Sequence, residues 1–516
     1  MKAELLRQSA EVIEIPCIIN GVEVYTDNVV EQVMPHNHSH VIARVHMAGE
    51  QEVNNAINAA LSAHKNWSTM PWEARGAIFL KASELLKGEY RAKINASTMI
   101  NQSKTCHQAE IDSACELIDF WRFNVQYARE IYEDLQPPVS PSSMWNSSEV
   151  RPLEGFVFSV TPFNFSSIAA NLPSSAAIMG NTGVWKPSRN SYLSNYYLMR
   201  LMMDAGLPDG VINFIPGKAS MIGDICLSHP MLAGIHFTGS TSVFRQMWKD
   251  VANNLANLRS YPRIVGETGG KDFIVAHPNC DQKALTVALI RGAFEYQGQK
   301  CSAASRAYIP ESVWNAIKDD YVNEVSKISV GDPKDFSNFM GAVIDRKSFD
   351  NIAGYIDRAN RDSGCEIVTG GEYDDSTGYF VQPTTIVCSD PNYETMAEEI
   401  FGPVLSIYVY PDHEFIETLD LCDNTSEYAL TGSIFAANRE DIEVAMAALR
   451  YSAGNFYIND KPTGAVVGQQ PFGGARGSGT NDKAGSPLNL LRWVSPRSIK
   501  ETFAPPHDWT YGFLNE

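Results

Sequence analysis

Three residues have side chains and settings suited to covalent chemistry on a carbonyl. Cys301 lies in Tyr296-Gln-Gly-Gln-Lys-Cys-Ser. A lone cysteine is ordinarily a small buried hydrophobe, but Gly298, Gln299, Lys300 and Ser302 make this a polar turn, and Lys300 next door would help to stabilise a thiolate nucleophile. Asn164 sits in Pro162-Phe-Asn-Phe, where asparagine commonly forms a turn. Its amide N–H groups also match an oxyanion. Glu267, in Val265-Gly-Glu-Thr-Gly-Gly-Lys, is by itself a solvated loop charge, and becomes a general base if the backbone approaches closely. Lys186 reads alone as a surface lysine, though at a ligand-binding rim it would reach ribose hydroxyls. Gly239-Ser240 precedes a helix and offers N–H groups to a pyrophosphate, although the G-x-G-x-x-G fingerprint is missing. Glu399 in Glu-Ile-Phe-Gly-Pro-Val reads alone as a turn. His36, His38 and His40 alternate like one face of a strand, but nothing joins them; they read as surface histidines, and no metal site is expected.

The elements that must position these groups alternate in type. Phe156–Val160, Val184–Trp185, Val211–Ile215 and Leu232–Phe237 read as strands, separated by helices such as the one near Ser166–Met179. This alternation calls for right-handed crossovers and a parallel sheet. Such sheets bind ligands beyond the carboxyl ends of their strands, so Pro162–Phe165, Lys186–Arg189, Pro216-Gly217 and Thr238–Ser240 are expected along one rim. A second alternating unit runs from about Gly270 to Asn459. The first 135 residues read as mainly helical after a short strand-like opening, with helical spacing over 52–64, 71–87 and 106–134. Gln136-Pro-Pro-Val-Ser-Pro-Ser-Ser is the clearest break, and Trp493 to Glu516 reads as an extended arm or hairpin.

The 516 residues are 44% hydrophobic and 20% charged, with a net charge of −19. That is an ordinary globular composition without the basic footprint of a nucleic-acid binder or a polybasic membrane anchor. Nine cysteines, an odd number without a C-x-x-C pair, fit a reducing compartment. The absence of a long apolar run or a basic-then-apolar start reads as a cytoplasmic protein, or one of the mitochondrial matrix if a transit peptide has been removed.

Asn164, Lys186, Gly239, Glu267, Cys301 and Glu399 occur in the order and spacing of the aldehyde dehydrogenase superfamily, which the chain resembles over nearly its whole length. The motifs that carry this are Thr-Pro-Phe-Asn-Phe, Trp-Lys-Pro-Ser, Phe-Thr-Gly-Ser, Gly-Glu-Thr-Gly-Gly-Lys, Gly-Gln-Lys-Cys and Glu-Ile-Phe-Gly-Pro-Val-Leu. Phe294-Glu-Tyr-Gln-Gly-Gln-Lys-Cys-Ser-Ala, Gly454-Asn-Phe-Tyr-Ile-Asn-Asp-Lys and Gly468-Gln-Gln-Pro-Phe-Gly-Gly-Ala-Arg look like the branch that oxidises L-glutamate γ-semialdehyde to L-glutamate in proline catabolism.

The resemblance implies an α/β fold: a Rossmann-like parallel-sheet cofactor domain (1–139 with 152–268), an α/β catalytic domain (269–459), an anchor loop (460–486) and a small β oligomerisation flap (140–151 with 487–516). It implies Cys301 as nucleophile, forming a thiohemiacetal and then a thioester, with Asn164 holding the oxyanion and Glu267 activating water. NAD would lie on Lys186, Pro187, Ser188, Gly217, Gly239, Ser240, Glu399 and Phe401. Arg189 stands where relatives carry an acid, which leaves NADP open. The backbone of Gly464 and Ala465, with the Ser302 hydroxyl, would seat the substrate carboxylate, Glu116 its ammonium, and Phe165 and Phe472 its aliphatic chain. A homodimer or larger assembly follows, as does a functional pairing with proline dehydrogenase. Three alternatives remain open: a dehydrogenase for another small carboxylated semialdehyde, an inactive binding or structural protein on the same scaffold, and a cysteine acyl-hydrolase with a histidine partner.

Overall fold

The computed structural model describes residues 1–515. Two seven-stranded sheets organise it. The first runs in the order Arg263–Glu267, Leu232–Thr238, Phe156–Val160, Thr182–Lys186, Ile212–Phe214, Cys17–Ile19, Val22–Val24. Its first five strands are parallel, and the last two add on antiparallel. The apolar runs reflect strands buried on both faces between helices; every residue of Leu232–Thr238 is buried. From Phe156–Val160 the chain winds outward to Ile212–Phe214, then returns to add Leu232–Thr238 on the other side. The crevice at that reversal is the ligand-binding position of such sheets. The two loops that leave it carry Asn164 and Gly239-Ser240.

The second sheet has the order Cys365–Thr369, Thr384–Cys388, Val404–Tyr410, Ala304–Pro310, Asp272–Ala276, Thr431–Phe435, Asn455–Ile458. Only Cys365–Thr369 is antiparallel to its neighbour. Glu267 ends a strand of the first sheet and Asp272 begins one of the second, so Thr268-Gly-Gly-Lys is the seam between them.

The opening of the chain differs from its sequence reading. It starts with a helix, Lys2–Ala10, and five short strands follow between Ile13 and His46. Three of these, Ile13–Ile15, Val29–Met34 and Asn37–His46, form a separate sheet. The surface assignment is corrected for His36, while His38 and His40 stay partly exposed. His36 occupies the turn between two of those strands and is only 3% exposed, because the hairpin tip packs against Gly378, where a Cβ would come 2.6 Å from the His36 backbone. His36 contacts the Ser103 hydroxyl at 3.2 Å. His38 and His40 each bond a backbone oxygen, of Asp375 and Ser9.

Val494–Thr502 pairs antiparallel with Met144–Pro152 as a two-stranded ribbon. Leu490, Trp493 and Val494 are buried in the core beside the first sheet, so the exposed arm begins at Pro496. Trp145, Ile499, Phe503 and Trp509 lie exposed along the arm.

Candidate active site

The loop bearing Cys301 is held from several directions. Tyr296 and Gln297 adopt left-handed backbone at φ 52° and 55°, which non-glycine residues tolerate only where surrounding bonds enforce it. Those bonds are present: the Tyr296 hydroxyl donates to Gln102 O at 3.1 Å, and Gln297 Nε2 donates to Ser103 O at 3.0 Å and Ala342 O at 2.8 Å. Gln299 Oε1 accepts from Ile344 N, and Asn164 Nδ2 donates to Gln299 O at 3.1 Å. Asn164 therefore lies against the Cys301 loop, and its second amide hydrogen has no acceptor among the described residues. Gly270 permits the tight seam, since a Cβ there would meet Cys301 O at 2.2 Å.

Cys301 and Glu267 line one cavity of about 1240 Å³, counting its open mouth. Burial pushes the thiol well above its ordinary range, and the carboxylates of Glu267, Asp272 and Glu399 push the same way. The expected help from Lys300 is corrected: its ammonium pairs with Glu295 at 3.3 Å, and the thiol is chiefly moved by burial and the carboxylates of Glu267, Asp272 and Glu399. Burial also raises the Glu267 carboxyl well above the carboxylate range, opposed by the Lys483 ammonium and a backbone hydrogen bond from Gly474. Glu267 Oε2 is buried without a partner.

One wall of the cavity comes from a π-helical turn, Glu110–Cys115, that runs into the helix Glu116–Asp134. Such turns recur at functional sites because they re-aim side chains. Asp112, Glu116 and Asp119 all line the cavity. Burial, then neighbouring Asp112, raises the Glu116 carboxyl to about 8, and it accepts a hydrogen bond from the Ser167 hydroxyl. Asp112 is itself neutralised by buried Lys104 at 2.5 Å, whose ammonium lies 4.3 Å from the Phe165 ring and 4.1 Å from that of Tyr296. Phe165 and Phe472 line the same cavity, as do Ser302, Gly464 and Ala465. Gly464 has φ 93°, and neither its N–H nor that of Ala465 has an acceptor among the described residues. Two adjacent open N–H groups make a seat for an anion. The Ser302 hydroxyl shares a hydrogen bond with Thr463 Oγ1 at 2.8 Å.

The cofactor residues converge on the rim and seam. Lys186 ends its strand only 8% exposed; burial, assisted by Arg189, lowers its ammonium to about 8. It has no hydrogen-bond or ion-pair partner among the described residues, an orphan cation matched to the hydroxyls of a ribose. Pro187 and Ser188 follow it, and Ser188 caps the turn Arg189–Ser191. Glu399 accepts from Gly270 N at 2.9 Å, and burial raises its carboxyl to about 7. Phe401 is left-handed at φ 56° and meets Phe163 edge-on at 5.9 Å. Gly217 bridges to Ala48. Gly239 departs from expectation: its N–H is spent on Glu267 O at 3.2 Å, so the open N–H groups begin at Ser240, which precedes the helix Thr241–Asn254. The orphan Lys186 and this helix start fit a dinucleotide. Among the described residues no cluster of His, Cys, Asp or Glu is arranged to hold a metal.

Lys104, Asp112 and Lys483 were missed from the sequence. Each is a charged side chain that reads as solvated until packing encloses it; their only local signal was a charge beside small or polar neighbours.

The aldehyde dehydrogenase family matches residues 23–499. A mitochondrial Δ1-pyrroline-5-carboxylate dehydrogenase from Dictyostelium discoideum is 52% identical over 504 residues, 97% of this chain and 90% of its own length. The human mitochondrial protein of that name is 49% identical over 97% of this chain and 89% of its own. The crystal structure of the Mycobacterium tuberculosis Δ-pyrroline-5-carboxylate dehydrogenase bound with NAD is similar at a TM-score of 0.96 and 50% identity, covering 99% of this chain and 94% of that one.

Proposed function

Because the chain belongs to the aldehyde dehydrogenase family, we propose that it oxidises L-glutamate γ-semialdehyde, the open form of Δ1-pyrroline-5-carboxylate, to L-glutamate with NAD. The observation that carries this reading is a single cavity lined by Cys301 and Glu267, by Glu116, and by Gly464 and Ala465, whose N–H groups have no acceptor among the described residues. A substrate with an aldehyde at one end and an ammonium and a carboxylate at the other matches all three features.

NAD would be held by Lys186, Pro187, Ser188, Gly217, Ser240, Glu399 and Phe401, and when bound it supplies the acceptor for the electrons leaving the substrate carbon. The protein's own residues do the rest. Cys301 attacks the aldehyde carbon and splits one hard oxidation into two easier steps. The thiol gives up its proton to water at the open mouth of the cavity and attacks as the thiolate, the reactive form, while Glu267 is kept for the later step. The free amide hydrogen of Asn164 stabilises the oxygen that becomes negative, a donor whose loss commonly costs about 10²–10³ in rate. Glu267 then takes a proton from water, which hydrolyses the thioester on Cys301.

The same proposal takes residues 1–139 with 152–268 as the cofactor-binding part and 269–459 as the catalytic part. The exposed ribbon supports a homodimer or higher assembly, and proline dehydrogenase is the enzyme whose product this one consumes. The nine free cysteines match a reducing compartment, the cytoplasm or a mitochondrial matrix. The test is absorbance at the reduced-nicotinamide band with Δ1-pyrroline-5-carboxylate, succinate semialdehyde and propionaldehyde, each with NAD and with NADP. The highest kcat/KM is expected for pyrroline carboxylate with NAD. A flat trace, or a preference for succinate semialdehyde, overturns the proposal.

A further inference from the structure

We propose that Lys483 is a positioning residue for Glu267: its ammonium clamps the Gly473-Gly474 elbow that seats the carboxylate, and it stands as the cation beside it during thioester hydrolysis. The inference rests on the function proposed above.

Lys483 Nζ donates to Gly454 O at 2.7 Å, Gly473 O at 2.9 Å and Asn455 Oδ1 at 3.3 Å. Asn455 also takes Gly473 N at 3.1 Å and gives to Pro471 O at 3.0 Å. One ammonium therefore ties the start of the strand Asn455–Ile458 to the turn after Phe472. That turn touches the base: a Cβ on Gly473 would lie 3.0 Å from Glu267 Oε1 and 3.2 Å from the Lys483 N, and the backbone of Gly474 hydrogen-bonds the Glu267 carboxyl. Lys483 holds this place through a left-handed backbone, φ 52°, between the mutual hydrogen bonds of Phe472 and Ala484. Non-glycine residues occupy that region at a cost that packing must offset, and a lysine needed only for solubility has no reason to bear it.

The charged and titratable groups that act on the Glu267 carboxyl are Lys483 and Asp482 from one segment and the Cys301 thiol from another. Lys483 is the lone cation among them and favours the ionised form. Removing its charge leaves Glu267 holding its proton to higher pH. Attack by sulfur on the aldehyde precedes hydrolysis and is affected less than the later step.

The experiment compares wild type, Lys483→Met and Lys483→Arg, following the first-turnover burst of reduced nicotinamide and the steady-state rate with pyrroline carboxylate and NAD from pH 6 to 9. For Lys483→Met, the expected result is a burst rate within about threefold of wild type and a steady-state kcat down about tenfold or more. The acidic limb of kcat should move up by about one pH unit, and Lys483→Arg should restore that limb. Burst and steady state falling in step, or an unmoved limb, overturns the proposal. If Lys483→Met does not fold, Lys483→Gln, which keeps a donor and drops the charge, must show the same limb shift. Hydrolysis of p-nitrophenyl acetate without NAD repeats the test on Cys301 and Glu267 alone. A wild type inert toward pyrroline carboxylate but active on the ester overturns the substrate reading and leaves the Lys483 comparison decisive in the ester assay.

Discussion

Replacing Glu116 by glutamine removes a charge and preserves the shape and the contact to Ser167. Burial and Asp112 push the Glu116 carboxyl to about 8, so at pH 7 only about one molecule in ten carries the charge a substrate ammonium needs, and at pH 8 about half do. The ratio of wild-type to Glu116→Gln kcat/KM for pyrroline carboxylate is therefore expected to rise about fivefold between those pH values. Because both enzymes meet the same substrate pool and share Cys301 and Glu267, ring opening and the thiol's own titration cancel in that ratio. Leaving an enclosed ionic partner unpaired costs about 2–5 kcal/mol, so at pH 8 the variant should lose roughly 30-fold or more. Propionaldehyde carries no ammonium and should lose less than about threefold. The assay is nicotinamide absorbance under limiting substrate. Equal losses on both substrates, or a ratio independent of pH, would refute the assignment of Glu116 to the ammonium.

Three further outcomes follow from the geometry. Glu267→Gln removes a negative neighbour that raises the Cys301 thiol, so iodoacetamide should alkylate Cys301 faster above pH 8 while steady-state turnover collapses; slower alkylation would show that the carboxylate is needed as the thiol's base. Gly269→Ala places a Cβ 2.3 Å from Glu399 Oε2, so the KM for NAD should rise severalfold while NAD-independent ester hydrolysis is little changed, and an unchanged KM would remove Glu399 from the cofactor site. Lys104→Met leaves Asp112 enclosed without its cation, which costs about 3–5 kcal/mol in urea denaturation. Lys104→Met with Asp112→Leu should recover much of that loss, and a double variant as unstable as the single one would count against a charge-based cause.

The central strands were legible because burial on both faces writes them as unbroken apolar runs, as in Phe156–Val160 and Leu232–Phe237. The opening strands were not. Val29–Met34 keeps one face toward solvent and reads Val-Val-Glu-Gln-Val-Met, while several neighbours are only three residues long. Cys301, Glu267 and Asn164 could be singled out from local composition, but the direction of Lys300 could not, since it is set by Glu295 and by elements far along the chain. His36 failed for the same reason: its burial depends on Gly378, which no local pattern anticipates. Gly239 and Ser240 were placed at the right helix start, yet which N–H stays open is decided by Glu267 O across the sheet.

Met144 sits opposite Thr502 in the exposed ribbon, so one strand is made long before its mate leaves the ribosome. Contacts separated this widely form late, after the loop-closure cost has been met elsewhere. Throughout translation Met144–Pro152 presents bare backbone donors and acceptors, with Trp145 exposed beside them. A transcript cut short before Val494 therefore yields a protein whose orphaned strand seeks its complement on other molecules, and clumping rather than mere inactivity is the penalty of truncation.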